Sequence, residues 1–287
     1  VILSCGDGAS NPDIMNFFYP EVVEAGNMNP WPNMDVEGNR TNTGDAYPMG
    51  WWAGAAISAF QAPMVHVMGG PGDSADQSQS MGLTAPLLRL NYNGVRFQNE
   101  DVAATECEYA VDRQPKQKFF LIFDSHLDEQ SPMFINTFAF PLSDFDARVG
   151  DGTIFKGETL EELFESIDGM DAKAAVESVK RYNEMCEKGV DEDFGKKAKY
   201  LLPVQDGPFY AQRTGQGLCL CTMGGLCSDE NAHVISRERQ IIPGLYVSGN
   251  AQGDRFAVKY PFKLSGTSHC MAMYYGKVAG ENAAAGI

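Results

Sequence analysis

The first apolar residues, Val1-Ile2-Leu3, form a short unbroken run that soon meets Gly6 and Gly8. A run without polar alternation predicts a strand buried on both faces, as in a parallel α/β sheet. Such a strand needs neighbours and nothing precedes it; the chain also lacks an initial Met, so it reads as part of something longer. Asn11-Pro12 predicts a helix start, with Asn11 as N-cap and proline at the first helical position. Residues 27–45 are rich in Asn, Pro and Gly and read as loop. Residues 45–60 are apolar, with Gly50, Ala53, Gly54, Ala55 and Ala56, and predict a tightly packed helix. Residues 68–76 break the pattern with glycine and proline.

Extended patterns follow. Residues 87–92 and 95–98 flank Asn93-Gly94, a strong hairpin signal, and residues 118–123 predict another strand. Thr159 with Glu162 forms a capping box. Asp171 opens a helix to Lys188, with Ala174, Ala175, Val179, Tyr182, Met185 and Cys186 at helical spacing and Gly189 as its stop. Residues 199–204 return to an extended form. The last region predicts a strand at 218–223, a turn at Gly224-Gly225, and an arm at Val234-Ile235 turning through Arg237-Glu238-Arg239. A buried strand over 241–247 then ends at Gly249, and a helix covers 268–285. No repeat is evident.

Composition narrows the classes. The chain has 287 residues, 44% of them hydrophobic, enough for one large or two ordinary domains. The net charge of −16 repels nucleic acid and anionic membrane surfaces, and otherwise serves solubility. The sequence has no apolar run of about 18 residues, so no transmembrane segment is expected. Of seven cysteines, only Cys219, Cys221 and Cys227 cluster. They lack the second paired element of a zinc site, so no metal is expected and the thiols suit a reducing, cytoplasmic setting. His66, His126, His233 and His269 show no metal or triad spacing and read as structural. His269 is the one to watch, at the start of the last helix.

Two features carry chemistry. A buried strand ending in Gly249 lets backbone approach a dinucleotide closely. The turn Ser265-Gly266-Thr267-Ser268 opens a helix whose first N–H groups and dipole suit an electron-rich carbonyl. Each alone is an ordinary connection; in this order they point to a nucleotide cofactor. Thr222-Met-Gly224-Gly225, Ile242-Pro-Gly-Leu-Tyr246, Gly249-Asn250 and the run from Gly276 through Ala279-Gly280 to Ala283-Ala284 resemble a family signature. That family is the fumarate reductase and succinate dehydrogenase flavoproteins, with strings T-x-G-G, I-P-G-L-Y-x-x-G-E and G-x-x-A-G-x-x-A-A. Val1 to Met15 is similar to V-I-L-A-T-G-G-F-x-x-N-P-E-M, and Asn42-Thr-Gly44-Asp45 with Ala53-Gly54-Ala55 to T-G-D-G-x-x-M-A-x-x-A-G-A. Asn93-Gly-Val-Arg96-Phe97-Gln-Asn99-Glu100, Phe120 to Asp124, Tyr182-Asn183 with Phe194-Gly195-Lys196, and Pro208 to Ala211 resemble the family's capping region. The G-x-G-x-x-G turn for the FAD pyrophosphate is missing, so this chain on its own is expected to hold FAD weakly or not at all.

The resemblance implies a partial α/β flavin-binding domain with an inserted α+β cap domain of fumarate reductase flavoprotein type. Residues 1–61 and 216–287 would form the flavin-binding domain and 62–215 the substrate-capping domain. FAD is the implied cofactor, with Gly6, Gly224, Gly225, Gly249, Asn250, Ser265, Gly266, Thr267 and Ser268 as its binding residues. The family's substrate clamp is altered. The A-H-P histidine is absent at Gln61-Ala62-Pro63, no arginine follows Asp124, Cys221 replaces the H-x-M-G-G histidine, and Lys263 replaces the N-R-L-G-G arginine. Lysine lacks the bidentate fork that fixes a carboxylate, so fumarate and succinate are not the expected substrates. Asp254-Arg255-Phe256 through Lys259-Tyr260-Pro261 is similar instead to a branch expanded in anaerobic bacteria, which reduces C=C or related bonds in varied organic acceptors. Hydride transfer to such an acceptor needs a proton donor, and Tyr260, Arg255, Lys263 and Glu100 are the catalytic candidates. The alternative readings are that Tyr260 packs on the flavin and that Glu100 with Arg96 is cap structure only. The rivals are an enone dehydrogenase or reductase of steroid type, with Tyr260 as acid or base, and a non-catalytic binding remnant. Neither the acceptor, the electron donor nor the oligomeric state is legible.

Overall fold

The computed structural model of the protein describes residues 1–24, 35–39, 41–59, 61, 63–68, 86–102, 110–111, 113–134, 141–256, 260–261, 264 and 266–286. The chain runs β1 (Ile2–Leu3), α1 (Pro12–Phe18), α2 (Pro20–Glu24), α3 (Ala46–Trp52), β2 (Pro63–Met68), β3 (Leu88–Leu90) and β4 (Lys118–Phe123). It continues through α4 (Leu127–Gln130), α5 (Leu142–Asp146), β5 (Ile154–Gly157), α6 (Leu160–Glu165) and α7 (Ala172–Lys188). It ends with β6 (Phe209–Thr222), β7 (His233–Ile235), β8 (Ile241–Val247) and α8 (Thr267–Ala285). Two compact units result: Val1–Val65 with Leu218–Ile287, and His66–Gly217.

In the first unit the sheet order is β1-β8-β7. β1 pairs parallel to β8, Ile2 with Tyr246 and Leu3 with Val247, as the unbroken apolar run at the N-terminus predicts. β7 and β8 are antiparallel, joined through the charged turn where Arg239 adopts φ 63°. Leu3, Ala46, Leu226, Val234, Val247 and Ala251 pack as one buried cluster. Asn11 caps α1 as expected, accepting from the N–H groups of Asp13 and Ile14. The helix expected over 45–60 stops at Trp52. Gly54 turns the chain at φ 89°, after which Ala55 and Ile57 bridge to Ser236 and Leu226. The small residues there serve close approach rather than helix propensity: a Cβ on Gly50 would lie 2.5 Å from Leu226.

The second unit is built on a sheet of order β2-β6-β4-β3, with β5 also on β6. The chain crosses between units within β2 and β6. β6 spans 14 residues, far longer than the strand expected over 218–223. In β4 alternate side chains enter two cores. Phe120 and Ile122 meet α7 through Val176, Val179 and Tyr182, while Phe119, Leu121 and Phe123 meet Leu127, Phe145 and Tyr210. Burial on both faces explains why Lys118–Phe123 reads as an unbroken apolar run, and each buried aromatic contributes roughly 1.5–3 kcal/mol. The Asn93-Gly94 turn forms, with Gly94 at φ 67° and Asn91 N–H on the Val95 carbonyl (3.1 Å). Its return arm is shorter than expected, a single Leu90–Arg96 bridge. The extended form expected over 199–204 begins as a 3-10 turn at Ala198–Tyr200. The capping box at Thr159 and Glu162 is present, and Gly189 stops α7 in the left-handed conformation.

Candidate functional site

Because β1 and β8 run parallel, the loops that follow them leave the same carboxyl edge of the sheet. Ser248 N–H donates to the Leu3 carbonyl (3.0 Å), and the Ser4 and Ser248 hydroxyls lie 2.9 Å apart. The crevice beyond the carboxyl ends of parallel strands is where open α/β sheets bind nucleotides. Both loops use left-handed glycines there, Gly6 at φ 81° and Gly249 at φ 67°, a conformation that favours glycine.

The start of α8 joins this edge. Gly266 precedes it at φ 82° without a side-chain cap. The Thr267 hydroxyl donates to the Leu264 carbonyl (2.6 Å). Ser268 N–H donates to the Tyr260 hydroxyl (3.0 Å), and the Ser268 hydroxyl to Asn250 Oδ1 (3.3 Å). Tyr260 packs edge-on against Phe256, with ring centroids 5.1 Å apart, in a cluster with Met223 and Met271. His269 is exposed on the first turn of α8.

Arg255 folds back over its own loop. Its Nε donates to the Gln252 carbonyl (2.8 Å), and its Nη2 to Asn250 Oδ1 (3.2 Å). Nη1 is buried and has no acceptor among the described residues. Burial lowers the guanidinium's pKa, an effect opposed by Cys221, Asp7 and Tyr260. Under this loop lies Asp7, fully buried. It accepts from Ala9 N–H (2.9 Å), Asn42 Nδ2 (3.0 Å) and Asn250 Nδ2 (3.2 Å). Burial pushes its pKa up against those hydrogen bonds. Sequence reasoning missed Asp7 and Asn42. The signal was an acid in Gly6-Asp7-Gly8 where the family string has a second glycine.

Tyr260, Arg255, Gly249, Asn250, Gly266, Thr267 and Ser268 therefore gather at one edge of the first unit, with Gly6 on the neighbouring loop. Gly224 and Gly225 have a different basis. A Cβ on Gly224 would displace the Gln61 amide, whereas one on Gly225 would lie 2.3 Å from the Ala251 carbonyl, so backbone packing within the unit already demands glycine at 225. Lys263 and Ser265 lie outside the described residues. A helix N-terminus, two left-handed glycine turns and a buried guanidinium N–H without an acceptor together fit an electron-rich planar ligand such as a flavin.

Glu100 is the remaining candidate. It is fully buried in the second unit, where both its oxygens accept from Arg96 at 2.7 Å and Lys196 Nζ lies 3.3 Å away. Arg96 also forks onto Asp191 at 2.8 and 2.7 Å, between the rings of Tyr182 and Phe194. Burial alone would raise the Glu100 pKa, but Lys196 and Arg96 outweigh it and hold the carboxyl below its ordinary range. Burial pushes Lys196 down to about 8. Lys196 and Arg96 thus favour the ionised form of this carboxyl group, within a hydrogen-bonded cluster of the second unit.

Comparison with known proteins gives the family. The family model of the FAD binding domain matches residues 25–262. A vinyl phenol reductase of Lactiplantibacillus plantarum is 29% identical over 99% of this chain and 60% of its own length. A cytochrome fumarate reductase of Shewanella frigidimarina is 30% identical over 69% of this chain and 32% of its own. The crystal structure of 3-ketosteroid-Δ4-(5α)-dehydrogenase from Rhodococcus jostii RHA1 superposes with a TM-score of 0.71 at 25% identity, over 99% of this chain and 52% of that one. The chain thus spans 60% and 32% of the curated relatives it matches.

Proposed function

The chain belongs to the FAD binding domain family, the flavoprotein family of fumarate reductase, and from that premise we propose that the whole protein is an FAD-dependent reductase of an unsaturated organic acceptor. The observation that carries this reading is the convergence of Gly249, Asn250, Arg255, Tyr260 and the start of α8 at the carboxyl edge of β1 and β8. Bound FAD supplies hydride when reduced. The second unit, His66–Gly217, takes the part of a substrate cap. A reducing, cytoplasmic setting suits the free thiols of Cys5, Cys186, Cys221, Cys227 and Cys270.

The residues of the crevice divide the work. The left-handed turns at Gly6 and Gly249 keep backbone close to the cofactor. Arg255 presents Nη1 to an electron-rich oxygen of the ligand. Tyr260 accepts from Ser268 N–H and so keeps its own O–H free to donate, holding a proton at the phenol oxygen for the acceptor. Arginine fixes oxygens more directionally than lysine, so Arg255 is the orienting cation whatever the role of Lys263.

The relatives' named activities guide the choice of acceptor. A vinyl phenol is a neutral aryl alkene, and the missing dicarboxylate clamp favours such a substrate over fumarate. The test is anaerobic mixing of the full-length reduced flavoprotein with 4-vinylphenol, fumarate or a steroid enone in turn. Flavin reoxidation by the aryl alkene, slowed about 10²-fold or more in Tyr260→Phe, is the expected outcome. Reoxidation by the steroid enone alone would favour the dehydrogenase reading, and reoxidation by none of the three would leave a binding protein.

A further inference from the structure

Asn250 stands between two groups whose hydrogen-bonding roles cannot be exchanged. Arginine only donates and an ionised carboxylate only accepts. Arg255 Nη2 and the Ser268 hydroxyl meet Oδ1 of Asn250 at 3.2 and 3.3 Å, while Nδ2 of the same amide meets Asp7 at 3.2 Å. The amide is thereby locked in one orientation, and the lock reaches the guanidinium. Asp7 is fully buried, too deep to touch a ligand itself. Its other contacts, Ala9 N–H and Asn42 Nδ2, tie it to the loop that leaves β1. Against the family strings quoted above, the acid of G-E is an amide here, Asn250, and the second glycine of T-G-G is an acid, Asp7. One carboxyl group has moved across a hydrogen bond.

We propose that Asp7 is a positioning residue of the crevice: through Asn250 it holds Arg255 so that Nη1 is left for an electron-rich oxygen of the bound ligand, belonging either to the flavin or to the acceptor. This rests on the flavin reading above. A buried carboxylate is costly to maintain, and burial does raise its proton affinity. Keeping one under an amide that a neutral residue could serve is understandable where it orders a site rather than stabilises the fold.

The decisive variant is Asp7→Asn in the full-length protein. An amide in place of the carboxylate turns a donor toward Asn42 and Asn250; Asn250 then flips and presents its own donor to Arg255. Losing a charge-assisted contact of this kind corresponds to a change of about tenfold or more. The expected result is a rise of that size in the FAD dissociation constant, read by flavin fluorescence, if the oxygen is the flavin's. If it is the acceptor's, KM for 4-vinylphenol rises with FAD affinity unchanged. In both cases the melting temperature of the flavin-free protein holds or rises, which a purely structural carboxylate would not allow. The pair Asp7→Gly and Asn250→Glu adds a second arm. Each alone should impair the same constant, and the double variant, which restores the family arrangement, should recover to within about threefold. Unchanged FAD affinity and KM in Asp7→Asn, or a double variant no better than the singles, overturns the proposal. A wild-type protein that takes up no FAD overturns the flavin reading beneath it, a distinguishable failure.

Discussion

At the residue scale, two buried acids have opposite surroundings. Asp7 sits among neutral donors, with its nearest guanidinium one amide away, and its pKa is raised. Glu100 sits between Arg96 and Lys196, and its pKa is lowered. Removing the charge of Glu100 leaves buried Lys196 without its carboxylate and Arg96 with Asp191 alone. Glu100→Gln is therefore expected to destabilise the protein by about 3–5 kcal/mol, measured by urea denaturation, while FAD affinity is unaffected. Stability within about 1 kcal/mol of wild type would mean that the cluster does not need this charge. The motif strings around Arg96 and Lys196 were legible in the sequence. Their mutual contact was not, because Arg96 and Asp191 are 95 positions apart and neither string states its partner.

At the element scale, local chemistry was the most legible. The capping box at Thr159, the Asn11 cap and the Asn93-Gly94 turn all depend on neighbours within four residues, so propensity and pattern suffice. The region 45–60 was not legible, since Gly50 is small on account of Leu226 and Ala55 bridges to Ser236, both far away in the chain. Two substitutions separate local from tertiary demands. Thr159→Ala removes a cap on an exposed turn and should cost about 1 kcal/mol. Gly94→Ala adds a Cβ 2.4 Å from the Ala175 nitrogen at φ 67°, so backbone strain and overlap with α7 add together. Its expected cost exceeds about 2 kcal/mol; equal melting temperatures for the two variants would contradict the close approach of the turn to α7.

At the scale of the whole molecule, the first unit gathers residues from both ends of the chain, Val1–Val65 and Leu218–Ile287. The site depends on that return: Leu3 meets Ser248 and Asp7 meets Asn250. The glycines and the start of α8 were readable as cofactor signals, whereas the partner of Tyr260 and the group beneath Asn250 emerge only when the strands pair. Among the described residues no helix is long and apolar enough to cross a membrane. On the proposed function, flavin lies along the carboxyl edge of β1 and β8. Backbone hydrogen exchange of the full-length protein, flavin-free against FAD-loaded, tests it most directly. Protection on FAD binding is predicted at three segments, residues 6–9, 248–252 and 266–270. Flavin that binds and protects other segments, leaving these three unchanged, would contradict the account.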